Sequence, residues 1–141
     1  MSCVSALIVV RLDAATGHVP LLARFSYDSA DPCAVQAVFF DGPRILARWH
    51  FDRQMLAEGL HRPVGGGEVA FRPHKFRPHK GPGVDELRVD LRRRSAERQG
   101  KAVLFVDARA LMGFLEQTYA VIGGGEEFRD LDRLLHEFLA R

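Results

Sequence analysis

Cysteine is scarce in this chain. Cys3 and Cys33 are the only two among 141 residues, too few for the disulfide framework of a small secreted domain. They form no Cys-x-x-Cys pair, and each is expected to act as a small buried hydrophobe. Long apolar runs are also missing. Ala6 to Val10 is interrupted by Arg11 and Asp13, far short of the roughly 20 residues needed to span a membrane. No basic segment precedes that run, as a secretory signal would require. The expected location is therefore the cytosol. Catalytic signatures are lacking too: there is no Gly-x-Ser-x-Gly elbow and no His-Glu-x-x-His. The triplet Gly65-Gly66-Gly67 runs into Glu68, with no Lys-Ser/Thr to close a phosphate loop. Gly123-Gly124-Gly125 runs into two glutamates, which would repel phosphate. Both runs are expected to be flexible connections.

What is present supports one domain. The hydrophobic fraction is 47%, and this length suits one compact unit with a sizeable core. Net charge is only +2, but it is unevenly spread. Arg72 to Lys101 holds ten Lys/Arg against four acids, net +6, leaving the remainder at −4. Such a dipolar chain can meet an anionic partner with one part only.

Two-residue periodicity marks strands. Leu21, Ala23, Phe25 and Tyr27 form one set; Ile45, Ala47, Trp49 and Phe51 another. Strands are predicted near 3–12, 19–28, 33–40 and 44–51. Turn signals at Thr16-Gly17, Asp31-Pro32 and Asp41-Gly42 separate them, and four short strands in series favour an antiparallel meander. Asp52 then caps a helix carrying Met55, Leu56 and Leu60, which Gly59 weakens and Pro63 stops. Strands resume near 64–73, 84–92 and 101–106. Asp107 caps a second helix whose Ala108, Leu111, Met112, Leu115 and Tyr119 recur at helical spacing. A last helix carries Leu131, Leu134, Leu135, Phe138 and Leu139. The segments 49–60 and 103–115 echo each other, each a strand end, a capping aspartate and a helix. The expected fold is mainly β (α+β), with two antiparallel sheet-and-helix pseudo-repeats and C-terminal helices.

The most distinctive local feature is Phe-Arg-Pro-His-Lys written twice, Phe71–Lys75 and Phe76–Lys80. Arg72, Lys75, Arg77 and Lys80 interleave with Phe71 and Phe76, and Arg92, Arg93 and Arg94 follow. Cations beside exposed rings suit phosphates and stacked bases. The competing interpretation is a solvated loop, because Pro73 and Pro78 interrupt strand pairing. His74 and His79 lie five apart without a cysteine or ordered carboxylate, so no metal site is expected. His50 and His61 are placed at a surface and at a helix end. No catalytic set and no cofactor is expected.

Two segments carry a resemblance. The stretch 25–39 contains Tyr27-Asp28, Ala30-Asp31-Pro32 and Ala34-Val35. The stretch 49–69 contains Leu56-Ala57-Glu58-Gly59-Leu60-His61-Arg62-Pro63. Together they resemble the SsgA-like proteins, sporulation and cell-division proteins of filamentous actinomycetes. The resemblance implies a β-rich subunit of a bell-shaped trimer, similar to the Whirly and mitochondrial guide-RNA-binding proteins. It implies no catalytic activity and no cofactor. The implied work is placing or activating septa, localising peptidoglycan machinery or assisting spore maturation. The implied partners are copies of itself, another SsgA-like protein, or division-machinery proteins such as the tubulin-like GTPase FtsZ, met at the septum. Asp31-Pro32 would shape a turn, and Gly59 and Pro63 the exit from a helix. The second pentapeptide departs from the family pattern. The expected function is a non-enzymatic, homo-oligomeric adaptor in sporulation-specific division. The alternative is a single-stranded nucleic-acid binder using the basic 71–101 region.

Overall fold

A computed structural model describes residues 2–75, 86–94 and 99–122, with only the backbone at Arg94 and Gln99. Its first half is four antiparallel strands: β1 (Cys3–Ala14), β2 (Gly17–Asp28), β3 (Ala34–Asp41) and β4 (Arg44–Asp52). A helix, α1 (Arg53–Gly59), follows. The second half repeats the plan with β5 (Val64–Gly66), β6 (Val69–His74), β7 (Glu86–Arg94), β8 (Gln99–Asp107) and α2 (Ala108–Val121). Each half is a meander. β1 pairs with β8, which joins the halves into one sheet of order β4-β3-β2-β1-β8-β7-β6-β5. The sheet curls as a half-barrel.

The concave face holds the core. Strand alternation sends Ile8, Val10, Leu21, Ala23, Phe25, Tyr27, Val35, Ala37 and Phe39 inward from the first half. Phe71, Leu87, Val89, Leu91, Leu104 and Val106 come from the second. The rings of Phe51 and Phe71 meet edge to face with centroids 5.3 Å apart, bridging β4 and β6 across the concavity. Phe71 is 1% exposed. The first pentapeptide is thus anchored in β6 and is not a loop tip, and its phenylalanine is not an exposed ring. Pro73 is tolerated because β5 pairs with β6 only as far as Phe71, leaving one side of β6 open there.

Both helices start as the aspartates predict. Asp52 Oδ1 accepts from the Met55 amide at 2.9 Å, and Asp107 Oδ2 accepts from the Ala110 amide at 2.9 Å. Three expectations need correction. The strand predicted over 64–73 is a hairpin of two, turned through Gly65 and Gly67 at φ 93° and 67°, values that favour glycine. The buried stripe of α2 is Ala108, Leu111, Phe114, Leu115 and Thr118, while Met112 is exposed. Cys3 and Cys33 are exposed, not buried; Cys3 lies on the outward side of β1, and Cys33 belongs to the turn before β3. The helix predicted over 131–139, Arg77, Lys80 and the second pentapeptide lie outside the described residues.

Candidate functional site

The resemblance-bearing residues gather at one junction. The turn after β2 is tied by side chains and backbone. The Tyr27 hydroxyl donates to the Pro32 carbonyl at 3.0 Å, Asp28 Oδ1 accepts from the Ala30 amide at 2.9 Å, and the Asp28 carbonyl accepts from the Asp31 amide. These are the local bonds that make Asp and Pro turn residues. The next residue, Cys33, offers its carbonyl to the Arg53 amide at 2.8 Å. The turn therefore meets the first residue of α1.

Arg53 is completely buried. Its Nη1 donates to the carbonyls of Thr118 at 3.1 Å and Ile122 at 2.7 Å, at the C-terminal end of α2. The last carbonyls of a helix lack partners within it and carry partial negative charge. The guanidinium supplies a donor to the Ile122 carbonyl and positive charge to both; the Thr118 carbonyl also accepts from the Ile122 amide at 3.0 Å. The same guanidinium lies over the ring of Tyr119 at 4.1 Å and of Tyr27 at 4.9 Å, the geometry of a cation–π contact. One side chain thereby joins the β2–β3 turn, the start of α1 and the end of α2. Sequence reasoning missed it. The available signal is that a cation in the first helical turn faces the positive end of its own helix dipole, so it needs a partner elsewhere.

The exit of α1 forms the other side. Leu56, Gly59 and Leu60 are buried. A Cβ on Gly59 would collide with Phe71 Cβ and sit 3.3 Å from Leu87 Cδ1, so the glycine permits α1 to lie flat on β6 and β7. Glu58 accepts from the His61 and Arg62 amides through its carbonyl, and from Arg62 Nη2 at 3.1 Å through Oε2. That ion pair is exposed and worth little. His61, Arg62 and Pro63 are exposed where the chain leaves for β5.

The basic residues do not converge. Arg72 and Lys75 are exposed, with Arg72 opposite Arg88 on the outer face. Arg92 is exposed opposite Lys101. Arg93, its neighbour, turns to the concave side and stacks over Trp49 at 5.0 Å. Arg94 contributes backbone to β7. Arg11 bridges Glu86 at 2.9 Å and lies over Phe105.

Among the described residues no group of three or more His, Cys, Asp or Glu gathers to hold a metal. Cys3, Asp28, Asp31 and His50 do line one open cavity of about 430 Å3. A nucleophile and its base must lie within hydrogen-bond reach, and Cys3 and His50 share no hydrogen bond. Leu7 and Val9 are 64% exposed on the convex side of β1, a central strand. Val9 lies opposite Leu22, and Leu22 opposite Phe40. The result is an apolar patch of Leu7, Val9 and Leu22 in the middle of the outer face, bordered by a half-buried Phe40 whose ring lies under Arg24 at 5.5 Å.

Residues 21–127 match the family described as Streptomyces sporulation and cell division protein, SsgA. The chain belongs to the SsgA-like family. It is 44% identical over 124 residues to the sporulation-specific cell division protein SsgB of Streptomyces coelicolor, spanning 86% of this chain and 84% of that one. The SsgB of Kineococcus radiotolerans is 36% identical over 135 residues, 95% of this chain and 76% of that one. Two solved structures agree in fold. One, from work on SsgB mutations and longitudinal division during sporulation of S. coelicolor, has a TM-score of 0.73 at 40% identity, covering 90% and 92% of the two chains. The SsgA-like protein of Thermobifida fusca has a TM-score of 0.74 at 27% identity, covering 97% and 96%. This SsgA-like chain thus acts in cell division during sporulation. No helix among its described residues is long and apolar enough to cross a membrane.

Proposed function

We propose that this chain is a non-enzymatic adaptor that assembles with copies of itself and positions septal machinery at the sporulation septum. The observation that carries this reading is the outer apolar patch of Leu7, Val9 and Leu22. A central strand that exposes two large aliphatic side chains buries them on a partner. The signature residues serve that surface at a distance. Tyr27, Asp28, Asp31, Pro32, Leu56, Gly59, Leu60 and Pro63 shape the junction that holds both helices inside the half-barrel. Three copies would present each contact three times, raising the effective concentration of a weak partner.

Sedimentation velocity tests the assembly. The wild-type chain is expected to run as a trimer, and Leu7→Asp/Val9→Asp as a monomer with an unchanged far-ultraviolet spectrum. A wild-type monomer across the micromolar range overturns the self-assembly. Fluorescently tagged wild-type and double-variant chains in sporulating hyphae test placement, with septal foci expected only for the first.

One observation favours the nucleic-acid alternative. Arg92 faces Lys101 directly across strands, where like charges are unfavourable without an anion between them; Arg88, opposite Arg72, already has Asp90 at 3.0 Å. A salt titration with single-stranded DNA decides it. Binding that falls with salt and weakens on Arg72→Gln/Arg92→Gln supports that reading; absence of binding at low salt removes it.

A further inference from the structure

The two edges of the sheet are treated differently. β5 is three residues long with two glycines, a blunt edge. β4 is nine residues long, and among the described residues no strand pairs on its outer side. Natural proteins shorten or charge such edges, or interrupt them with proline, because an unpaired ladder recruits another strand. β4 has one irregularity, near Ile45, and is regular from Ala47 to Asp52.

A cavity of about 290 Å3 lies on the concave side of this edge. Leu21, Phe39, Ala47, Trp49, Leu91 and Leu104 give it an apolar lining. Among the described residues neither α1 nor α2 contributes to it. Its size is at the lower end of the roughly 300–1,000 Å3 of small-molecule pockets, which suits a few aliphatic side chains. Arg93 stands in its wall, its guanidinium over the Trp49 ring at 5.0 Å. Among the described residues it forms no ion pair.

Charge identifies the occupant. The strand carries Arg44, Arg48 and His50, and its one acid is Asp52 at its end, where the carboxylate caps α1. Arg48 and His50 point outward, opposite Val38 and Gln36. A second copy of β4 laid antiparallel about Arg48 would set the two Arg48 side chains side by side, with carboxylates only at the two ends, where Asp52 meets Arg44. An extended segment alternating apolar and acidic residues fits both sides. Its apolar side chains would enter the cavity, and its carboxylates, on the opposite face of the strand, would meet Arg48 outside.

We propose that the open edge of β4 takes up an extended segment of a partner protein, alternating apolar and acidic side chains, as a ninth strand. Backbone bonds would supply affinity, and the cavity and Arg48 would supply selectivity. This deepens the adaptor reading by naming where a partner docks. Mass in solution tests the assembly and peptide titration tests the docking, so either can fail alone.

Trp49 is the chain's one tryptophan and lines the cavity, so its fluorescence reports occupancy. The full chain is titrated with a ten-residue peptide alternating valine and glutamate. Controls are the valine–lysine peptide and a valine–glutamate peptide N-methylated on alternate amides, tested in both registers. The expected result is saturable Trp49 quenching by the first peptide alone, with one methylated register inactive. Arg48→Gln should weaken binding about tenfold and Arg48→Lys restore most of it. Equal binding of the lysine peptide overturns the proposal, as does indifference to methylation in both registers or no quenching at millimolar peptide. Protein self-association that quenches Trp49 and excludes the peptide also overturns it, making a second copy the occupant.

Discussion

The two halves of the sheet agree on the inside and differ on the outside. Inside, each half supplies an aliphatic and aromatic face, a capping aspartate and a helix. Outside, β1–β3 present Leu7, Val9, Leu22 and a half-buried Phe40, whereas β6–β8 present Arg72, Arg88, Asp90, Arg92 and Lys101. The inner faces converge because both close on one core, where packing admits little besides apolar side chains. The outer faces answer to no shared core and are free to diverge. Interaction specificity in this SsgA-like chain is therefore to be sought on the convex side and at the edges.

The comparison breaks most completely where the halves are joined. Gly59→Leu forces a side chain into Phe71, and overpacking of this kind is expected to cost about 3 kcal/mol. A urea melt checks it; an unchanged midpoint would mean that α1 does not rest on β6. Arg53→Met keeps the side-chain length but strands the Ile122 carbonyl and removes one of the two donors to the Thr118 carbonyl, for an expected loss of roughly 1–3 kcal/mol. Amide exchange should show the end of α2 opening first. A uniform change would place the effect in the global fold instead.

The equivalence of the halves is sharpened by their caps. Asp52→Ala and Asp107→Ala should each destabilise by about 1 kcal/mol, because both carboxylates make the same 2.9 Å bond three residues on. A large difference between them in the same melt would show that one half dominates unfolding. The smallest effects are expected outside. Arg92→Gln, exposed opposite Lys101, should change stability by less than about 0.5 kcal/mol and leave the sedimenting mass unchanged. Loss of assembly in this variant would move the self-contact from the apolar half to the charged one.

Much of the frame is legible locally. Alternation in Leu21–Tyr27 and Ile45–Phe51 announces strands because a pleat offers two faces at a two-residue period. Asp52 and Asp107 announce helix starts because a carboxylate reaches an amide three residues on. The junction was less legible. Its Asp31-Pro32 turn and the Leu56–Pro63 segment stand out as motifs, yet the arginine that connects them reaches carbonyls 65 and 69 residues away. No local rule foretells that pairing.

The sequence by itself determined the first four strands, the two caps, the twofold plan and the family, since these rest on spacing and short-range bonds. Tertiary structure alone decided which side of Ala6–Val10 faces water, for both sides of that run are apolar. It also decided that Phe71 belongs to the core, that Arg53 closes the junction, and that β4 is left as an open edge. Each of these depends on which distant strand or helix becomes a neighbour, and that is set by closure of the whole sheet around one core.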